Sequence, residues 1–335
     1  GWATRTGAEL VDFVALNFSV SPRLLLALLE YQAGALTDPD EPNTDFHLGY
    51  KDAIGHRGLY LQLTWAANVL NNGYYGWRMG TLTEFEHKDG SLERPDPWQN
   101  AATVGIQYYL SRIMPKSTYE LAINPDGLAN TYRQLFADPW ASEVELIPGL
   151  LEQPDFLLPF PRGSVWTYTG GPHTGWGVGS PFAAVDFAPP STQSGCFTPT
   201  EDEFTTAVAA GIVSRLDNGV VVLDLDMDAD ERTGWSLLYL HVAADGRPPI
   251  GTILNAGDQV GYPSCEGGTT TGTHIHIARK YNGEWIIADS PIPFTMEGWV
   301  PKNGTDAYAG TLSRDGFIIT ASSVSDTFSR VPAGN

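Results

Sequence analysis

The sequence predicts two domains of different fold class, an all-helical N-terminal domain followed by a mainly antiparallel β-domain. The chain has 335 residues, enough for about two domains. Before residue 150, apolar residues recur at helical spacing and no strand-like alternation of any length occurs; from Ser164 onward, short β-rich runs alternate with Gly, Asn and Pro turns. We therefore expect domains at 1–152 and 164–335, joined by a proline-rich linker at 153–163.

Helices account for the first half. Ser21 is a predicted N-cap followed by Pro22 at the first helical position, and Gly34 is a predicted C-cap. The helix between them is apolar on nearly all sides, as in a domain core, and Glu30 lies near its end. The predicted helices cover residues 9–18, 23–33, 59–70, 99–113 and 128–136.

Strands account for the second half. Pro154, Pro159 and Pro161 interrupt helical pattern and mark the linker. Further short runs near 298–300 and 316–319 extend the β-domain nearly to the C-terminus. The predicted strands before them cover residues 165–168, 184–187, 220–225, 237–242, 274–278 and 284–287.

Composition excludes several classes of partner. A net charge of -20 argues against nonspecific binding to nucleic acid or to an anionic membrane surface, which needs clustered Lys and Arg. The longest apolar run, Leu24 to Leu29, is far shorter than the ~20 residues of a membrane span. The chain starts at Gly1-Trp2, which fits either an exported protein whose signal has been removed or a chain trimmed at its start.

Two cysteines leave two interpretations open. Cys196 and Cys265 can close a loop of about seventy residues, which the chain-entropy model values at ~4 kcal/mol in an oxidising compartment. They can equally be two buried free thiols.

An acidic string, Asp224, Asp226, Asp228 and Asp230, invites a calcium interpretation because hard cations favour several oxygen ligands. An EF-hand loop counted from Asp224 would need Gly at 229 and Glu at 235, where the sequence has Ala and Trp. We therefore expect a solvated hairpin tip between two strands.

Histidines and one aspartate of the second half form the candidate site. His274 and His276 lie two residues apart in a predicted strand and share one face, so both are possible metal ligands. His241 ends an apolar strand upstream, and His173 follows Gly-Gly-Pro. Asp186 lies on an apolar strand, where a carboxylate must be paired, hydrogen-bonded or bound to a cation. The alternatives are uninvolved surface histidines and an aspartate bonded to backbone amides.

The order of these motifs resembles the M23 family of zinc metallopeptidases, the lysostaphin-type peptidoglycan endopeptidases. The matching pieces are Gly-Gly-Pro-His173, Asp186, Leu-Tyr-Leu-His241 and Gly-Thr-His274-Ile-His276, spread over about residues 164–290. Thirteen positions separate His173 from Asp186, more than in most of the family. That spacing, with a glycine-rich loop at 174–180, is similar to the LasA-type, beta-lytic branch.

The resemblance implies a role for each residue. His173, Asp186 and His276 would bind one zinc ion, and three protein ligands are typical of catalytic rather than structural zinc. His241 and His274 correspond to the family's two non-ligand histidines, which would handle protons and stabilise the oxyanion. The sequence has no His-Glu-x-x-His helix, so the glutamate base of thermolysin-like enzymes is missing.

The helical half resembles the lysozyme-like lytic transglycosylases, in which a helix-end glutamate is the general acid. Ser21-Pro22-Arg23 through Glu30, followed by Gly58-Leu59-Tyr60-Leu61-Gln62, carries this resemblance. Tyr31 stands where that family usually has Ser, and the later Tyr-Asn motif has no good match. The resemblance implies a lysozyme-like domain with Glu30 as a candidate acid of raised pKa. Glycan strands could instead be held by aromatic side chains, which could equally be core: Trp65, Tyr74, Tyr75 and Trp77.

Together these features predict a secreted or cell-envelope peptidoglycan hydrolase with a zinc metalloendopeptidase domain. Its substrate would be peptide bonds of cell-wall cross-bridges or stem peptides, including glycine-containing ones. Two alternatives remain: a catalytically silent cell-wall binding or activator module, and glycan cleavage by the N-terminal domain.

Overall fold

A computed structural model describes residues 4–38, 45–141, 146–324 and 326–334. The chain forms two compact units. The helical unit comprises residues 1–144 together with 176–180, and the β unit comprises 145–175 together with 181–335. Among the described helices, none combines the length and apolar character that crossing a bilayer requires.

The helical unit is built on capped helices that share one core. Thr6 and Glu9 form a capping box at the first helix, and Ser21 caps the second. Two longer helices cross at Gly73 and Gly105, where a Cβ on Gly73 would lie 2.9 Å from the Gly105 Cα, so only glycine permits this approach. The described elements are α1 (Gly7–Phe18), α2 (Pro22–Ala33), a 3-10 turn (Ile54–His56), α3 (Leu59–Arg78), β1 (Phe85–Glu86), β2 (Leu92–Glu93), α4 (Ala101–Ile113), α5 (Lys116–Ala122) and α6 (Leu128–Phe136).

The prediction of an all-helical N-terminal domain is wrong, because β1 and β2 pair as an antiparallel hairpin within this unit. The turn between them places Gly90 in the left-handed region, and the Asp89 carboxylate accepts hydrogen bonds from the backbone and hydroxyl of Ser91. Each strand has only two residues, too few to leave a period-two pattern in the sequence.

The β unit is organised around one nine-stranded sheet. The described strands are β3 (Val165–Thr174), β4 (Phe182–Ala188), β5 (Thr205–Thr206), β6 (Gly211–Asp217), β7 (Val220–Asp224), β8 (Trp235–Leu240), β9 (Ile253–Leu254), β10 (Gln259–Gly261), β11 (Ile275–Tyr281), β12 (Glu284–Trp285), β13 (Val300–Asn303), β14 (Gly310–Arg314), β15 (Phe317–Thr320) and β16 (Arg330–Pro332). In the nine-stranded sheet they run in the order β16-β3-β4-β11-β8-β7-β6-β9, with β12 paired to β11, and every described pairing is antiparallel. A three-stranded sheet (β13-β14-β15) and a two-stranded one (β5-β10) complete the unit.

The segment predicted as a linker is packed into the β unit. Phe156, Leu158 and Phe160 are buried in the sheet's core, and Phe160 stacks on Trp166 with ring centroids 4.9 Å apart. Pro154, Pro159 and Pro161 therefore lie in an irregular segment with buried apolar side chains, and not in an exposed linker. The two units accordingly divide at 144/145, ahead of the predicted boundary at 152/153.

The acidic string is only partly a solvated hairpin tip. The connection between β7 and β8 exposes Asp226 and Asp228, as expected. Asp224, however, is the last residue of β7, an interior strand of the sheet, and it is fully buried. Since the sheet continues to this position, its carboxylate is drawn out of water.

Candidate metal centre

Three neighbouring strands bring the candidate ligands to one place. The register between β4 and β11 sets Asp186 directly opposite His276. On the other side of β4, strand β3 carries His173, and its pairing is irregular between Tyr168 and Thr174. The three ligand candidates, remote in sequence, therefore meet on the middle of the sheet.

The three side chains converge on a single oxygen atom. Asp186 Oδ1 lies 3.3 Å from His173 Nε2 and 3.2 Å from His276 Nδ1, and the two nitrogens are 2.9 Å apart. All three residues are buried. The structure thus brings together His173, Asp186 and His276, the set for which the sequence predicts a metal-binding role.

Backbone carbonyls fix which ring nitrogens face one another. His173 Nδ1 donates to the carbonyl of Gly171 (2.8 Å), and His276 Nε2 donates to that of Gly175 (3.1 Å). In the neutral rings, the facing nitrogens then carry lone pairs and no proton. Outer hydrogen bonds of this kind orient metal-binding histidines in proteins generally.

The converging atoms fit a cation. Among the described residues, none donates a hydrogen bond to the buried Asp186 Oδ1, and leaving such an atom unpaired costs free energy. Two imidazole lone pairs and a carboxylate repel one another unless a positive charge lies between them. The backbone also leaves room for this carboxylate, because a Cβ on Gly170 would lie 2.5 Å from Asp186 Oδ2.

The electrostatics of the cluster follow from burial and mutual contact. Burial alone would raise the pKa of Asp186, but His173 and His274 lower it well below its usual range. Burial lowers the pKa of His173, yet Asp186 outweighs that effect and the net shift is upward. For His276 burial prevails, and its pKa is lowered. The carboxylate is therefore ionised and His276 is poised in its neutral, metal-binding form.

The two candidate proton-handling histidines lie beside this cluster. The rings of His241 and His274 have centroids 4.5 Å apart, and His274 Nε2 is 3.7 Å from Asp186 Oδ2. His241 Nδ1 donates to the carbonyl of Glu266 (2.9 Å) and His274 Nδ1 donates to that of Gly272 (2.8 Å), so Nε2 is the basic nitrogen in each. Burial, followed by the nearby His274 and His276, lowers the pKa of His241 to about 4. Near neutral pH, His241 therefore presents a free lone pair.

A disulfide ties down the loops that hold this pair. Cys196 and Cys265 are bonded, which decides between the two interpretations of the cysteines. Cys265 immediately precedes Glu266, whose carbonyl fixes His241. On the other loop, Phe197 exchanges two 2.7 Å hydrogen bonds with the hydroxyl of Thr273, the residue before His274. The cross-link thus constrains both histidines through their neighbours.

Tyr308 is a site residue that the sequence analysis missed. Its ring stacks on His173, with centroids 4.0 Å apart and an angle of 21° between the planes. It lies between β13 and β14 and reaches the site because Gly171 donates a 2.7 Å hydrogen bond to its carbonyl. A Cβ on Gly171 would lie 2.5 Å from the carbonyl oxygen of Ala309, so the glycine pair before His173 was the available signal of a close backbone approach.

Glu30 has an environment opposite to that of a general acid. Its Oε2 accepts hydrogen bonds from the backbone of Leu36 (2.8 Å) and Thr37 (3.3 Å), and the Thr37 hydroxyl donates to Oε1. The bond from the Thr37 hydroxyl, aided by the two backbone bonds, lowers the pKa of Glu30 although burial opposes the shift. The expectation of a raised pKa therefore fails.

The aromatic side chains considered for glycan binding are largely engaged in the helical unit. Tyr75 is buried. Trp65 stacks on Tyr50 with ring centroids 4.1 Å apart, and the Trp77 indole donates to the carbonyl of Gln99. Tyr74 packs edge-on against Tyr75. These contacts favour the core interpretation of the four residues.

Comparisons with known proteins extend over both units. Residues 2–149 match the family model described as the N-terminal domain of LasA. Protease LasA of Pseudomonas aeruginosa (strain UCBPP-PA14) is 27% identical over 303 residues, which cover 85% of this chain and 68% of that protein. The beta-lytic metalloendopeptidase of Lysobacter enzymogenes is 30% identical over 143 residues, which cover 39% of this chain and 73% of that protein.

Solved structures resemble the chain more loosely. One of them, titled a novel M23 metalloprotease pseudoalterin from deep-sea, aligns with 22% identity and a TM-score of 0.42. The alignment covers 50% of this chain and 96% of that one.

Proposed function

Because the chain belongs to the LasA and beta-lytic family of metalloendopeptidases, a branch of the M23 peptidases, we propose that it is a zinc-dependent endopeptidase that cleaves peptide bonds of bacterial peptidoglycan. The observation that carries this proposal is the convergence of His173 Nε2, His276 Nδ1 and the unpaired Asp186 Oδ1. A cluster of two imidazoles and one carboxylate suits zinc among the common metals, and it leaves a coordination position for a reacting group.

A zinc ion held by these three side chains would supply Lewis-acid polarisation of the scissile carbonyl and a water of lowered pKa. The protein's own contribution is to present both imidazoles as lone-pair donors, which the carbonyls of Gly171 and Gly175 achieve by accepting the other ring protons. Burial of the three side chains places them in a medium of low dielectric constant, where their attraction to a bound cation is stronger than in water.

His241 and His274 would move the protons. Each has its Nδ1 proton committed to a backbone carbonyl, so Nε2 is free to accept a proton and later return it to the leaving amine. A proton taken up by His274 Nε2 would face Asp186 Oδ2, 3.7 Å away, which stabilises the resulting imidazolium. With the rings 4.5 Å apart, both histidines can reach the same reacting group.

Family membership is the basis for proposing a cell-wall substrate. The disulfide is the basis for proposing that the protein is exported. Peptide cross-bridges or stem peptides, including glycine-containing bridges, are the substrate class that the M23 resemblance implies. The bond between Cys196 and Cys265 supports action outside the cytosol, where disulfides persist.

The decisive experiment is to incubate the purified chain with purified peptidoglycan, with and without a chelator, and to identify released fragments by mass spectrometry. We expect new peptide amino and carboxyl ends that disappear with chelator and return when zinc is added. Anhydro-sugar ends would point to glycan cleavage, and the absence of fragments from a zinc-loaded protein would point to a silent binding module; either result would overturn the proposal.

A further inference from the structure

The connection between β7 and β8 carries a second convergence of carboxylates, separate from the candidate zinc ligands. Asp224, Asp226 and Asp228 each offer an oxygen, and these oxygens lie within 4.8 Å of one another. Two Ca–O bonds of about 2.3–2.6 Å can span such a separation. Three like charges this close repel one another, so the cluster by itself needs an explanation.

Asp224 provides an independent reason to expect a ligand. It is fully buried, and in the part of the chain that the structure describes no donor reaches its Oδ1. Its Oδ2 accepts one hydrogen bond, from the backbone of Ala229 at 2.9 Å. An ionised carboxylate left half-satisfied in the interior is costly unless a cation compensates it.

The other groups acting on this carboxylate are the acidic members of the cluster. Burial, followed by Asp226 and Asp228, raises the pKa of Asp224 to about 6, although the Ala229 amide opposes the shift. Asp224 therefore faces its two acidic neighbours rather than a lysine or arginine. Arg232, the cation in this loop, is engaged by Asp230 through two bonds of 2.7 and 2.8 Å.

The loop holds the two exposed carboxylates in place. A Cβ on Gly234 would lie 2.3 Å from Asp226 Oδ2, so this carboxylate lies against a glycine that leaves it room. Asp228 accepts hydrogen bonds from the Thr233 hydroxyl (2.7 Å) and the Asp230 backbone (2.8 Å). Each oxygen keeps a further lone pair, so these bonds orient Asp228 without exhausting it.

We propose that Asp224, Asp226 and Asp228 bind a hard divalent cation, calcium, at the end of β7. A set of carboxylate oxygens without nitrogen or sulfur favours calcium over zinc, and a loop rather than a rigid octahedral cage favours calcium over magnesium. The cation would cancel the unpaired charge of Asp224 and fasten the connection between β7 and β8. The sequence alone argued against calcium because it lacks the EF-hand pattern, but this site requires no such pattern.

The test is calorimetric titration of calcium into the full chain after passage over a chelating resin, followed by thermal unfolding with and without calcium. We expect stoichiometric binding of calcium and a rise in Tm of about 5 °C at saturating calcium. Magnesium should bind at least about tenfold more weakly than calcium. Absence of both calcium binding and a calcium-dependent rise in Tm would overturn the proposal.

Variants locate the binding. Asp224→Asn alters a buried group and can fail to fold, so the test rests on the exposed Asp226→Asn and Asp228→Asn, each expected to weaken calcium binding about tenfold or more. Asp230→Asn removes the same charge from the same loop and should bind as the parent does. If Asp226→Asn and Asp228→Asn bind calcium as tightly as the parent, the assignment is wrong. His276→Ala should keep calcium binding, which separates this site from the candidate zinc centre.

Discussion

Glu30 in the helical unit and Asp186 in the β unit are both carboxylates of lowered pKa, yet their partners are opposite in kind. Glu30 accepts hydrogen bonds from two backbone amides and a hydroxyl supplied by the turn that follows its own helix. Asp186 faces two imidazole nitrogens that present lone pairs, and its Oδ1 has no donor among the described residues.

These two environments distinguish a carboxylate satisfied by hydrogen bonds from a candidate metal ligand. A carboxylate satisfied by nearby donors has completed its interactions and stabilises the local chain. A buried carboxylate surrounded by other electron donors is incomplete until a cation arrives. A lowered pKa alone does not separate the two cases, because hydrogen bonds and neighbouring charges both produce it.

The largest effect should come from removing a ligand. His276→Ala should lose the bound zinc and lower peptidase activity more than about 10⁴-fold, since several kcal/mol of transition-state stabilisation depend on the metal. Metal analysis by mass spectrometry and a peptide-release assay measure the two effects. His56→Ala, the same change in the helical unit, is the control. Stoichiometric zinc in the His276→Ala variant would show that His276 is not a zinc ligand.

A smaller loss should follow from replacing the neighbouring pair. His274→Ala and His241→Ala should each lower activity about 10²- to 10⁴-fold, the range of general acid–base catalysis, while zinc content stays near that of the parent. The separation of activity from metal content is the informative result. If zinc is lost together with activity, these histidines contribute to metal binding, and their assignment as proton carriers is wrong.

A third carboxylate, Glu231, extends the comparison because its partners are cations. It is buried and ion-paired with Arg215 and with Lys280 (3.2 Å). Burial would raise the pKa of Glu231, but the two cations lower it below the ordinary value. Glu231→Gln should therefore cost about 3 kcal/mol of unfolding free energy near neutral pH, as expected when a buried pair is broken.

The stability that Glu231 contributes should depend on pH. Because the folded-state pKa of Glu231 is depressed, its contribution is fully present above the unfolded pKa of about 4.5 and is lost as pH falls through the folded value. Urea unfolding should show that the difference in unfolding free energy between the parent and Glu231→Gln is large at pH 7 and becomes smaller in acid. If this difference in unfolding free energy does not change with pH, Glu231 stabilises the fold through packing and not through its charge. The exposed Glu201→Gln is the control.

The smallest effect should come from Glu30. Glu30→Gln should leave peptidoglycan fragment release unchanged within about twofold and should cost only about 0.5–1 kcal/mol of stability, the worth of a few partly exposed hydrogen bonds. Fragment analysis and urea unfolding measure these effects, with Thr37→Val as the matched partner variant. If the parent releases sugar-end fragments and Glu30→Gln does not, Glu30 acts as the acid of a glycan-cleaving reaction.

The candidate site was largely accessible from sequence because its residues occur in short motifs of fixed order. His173, Asp186 and His276 could be named from those motifs, although only the registers among β3, β4 and β11 bring them together. Tyr308 could not be named this way, since it reaches His173 from a loop 135 positions later. The glycine pair before His173 signals a close backbone approach but does not identify the segment that approaches.

The fold class was wrong for the N-terminal unit, and single elements were predicted unevenly. Helices α1, α2, α4 and α6 lie close to their predicted ranges, whereas α3 continues to Arg78, beyond its predicted end at residue 70, and β6 was not predicted. The helices and the β-rich character left clear periodicities, but β1 and β2 are too short to do so. The burial of Asp224 was also beyond sequence patterns. Alternating acidic residues read as a solvated tip, and only the position of β7 inside the sheet shows where the strand ends.

Gly170 makes the candidate site intolerant of variation in a way that concerns protein engineering. Even a methyl group there would lie 2.5 Å from the Asp186 carboxylate, while no atom of the described residues lies within 4 Å of the corresponding point on Gly55. In a randomised library selected for activity, position 170 should return glycine alone, whereas position 55 should return many residues. Attempts to broaden substrate range by diversifying the part of β3 around His173 should therefore hold position 170 constant.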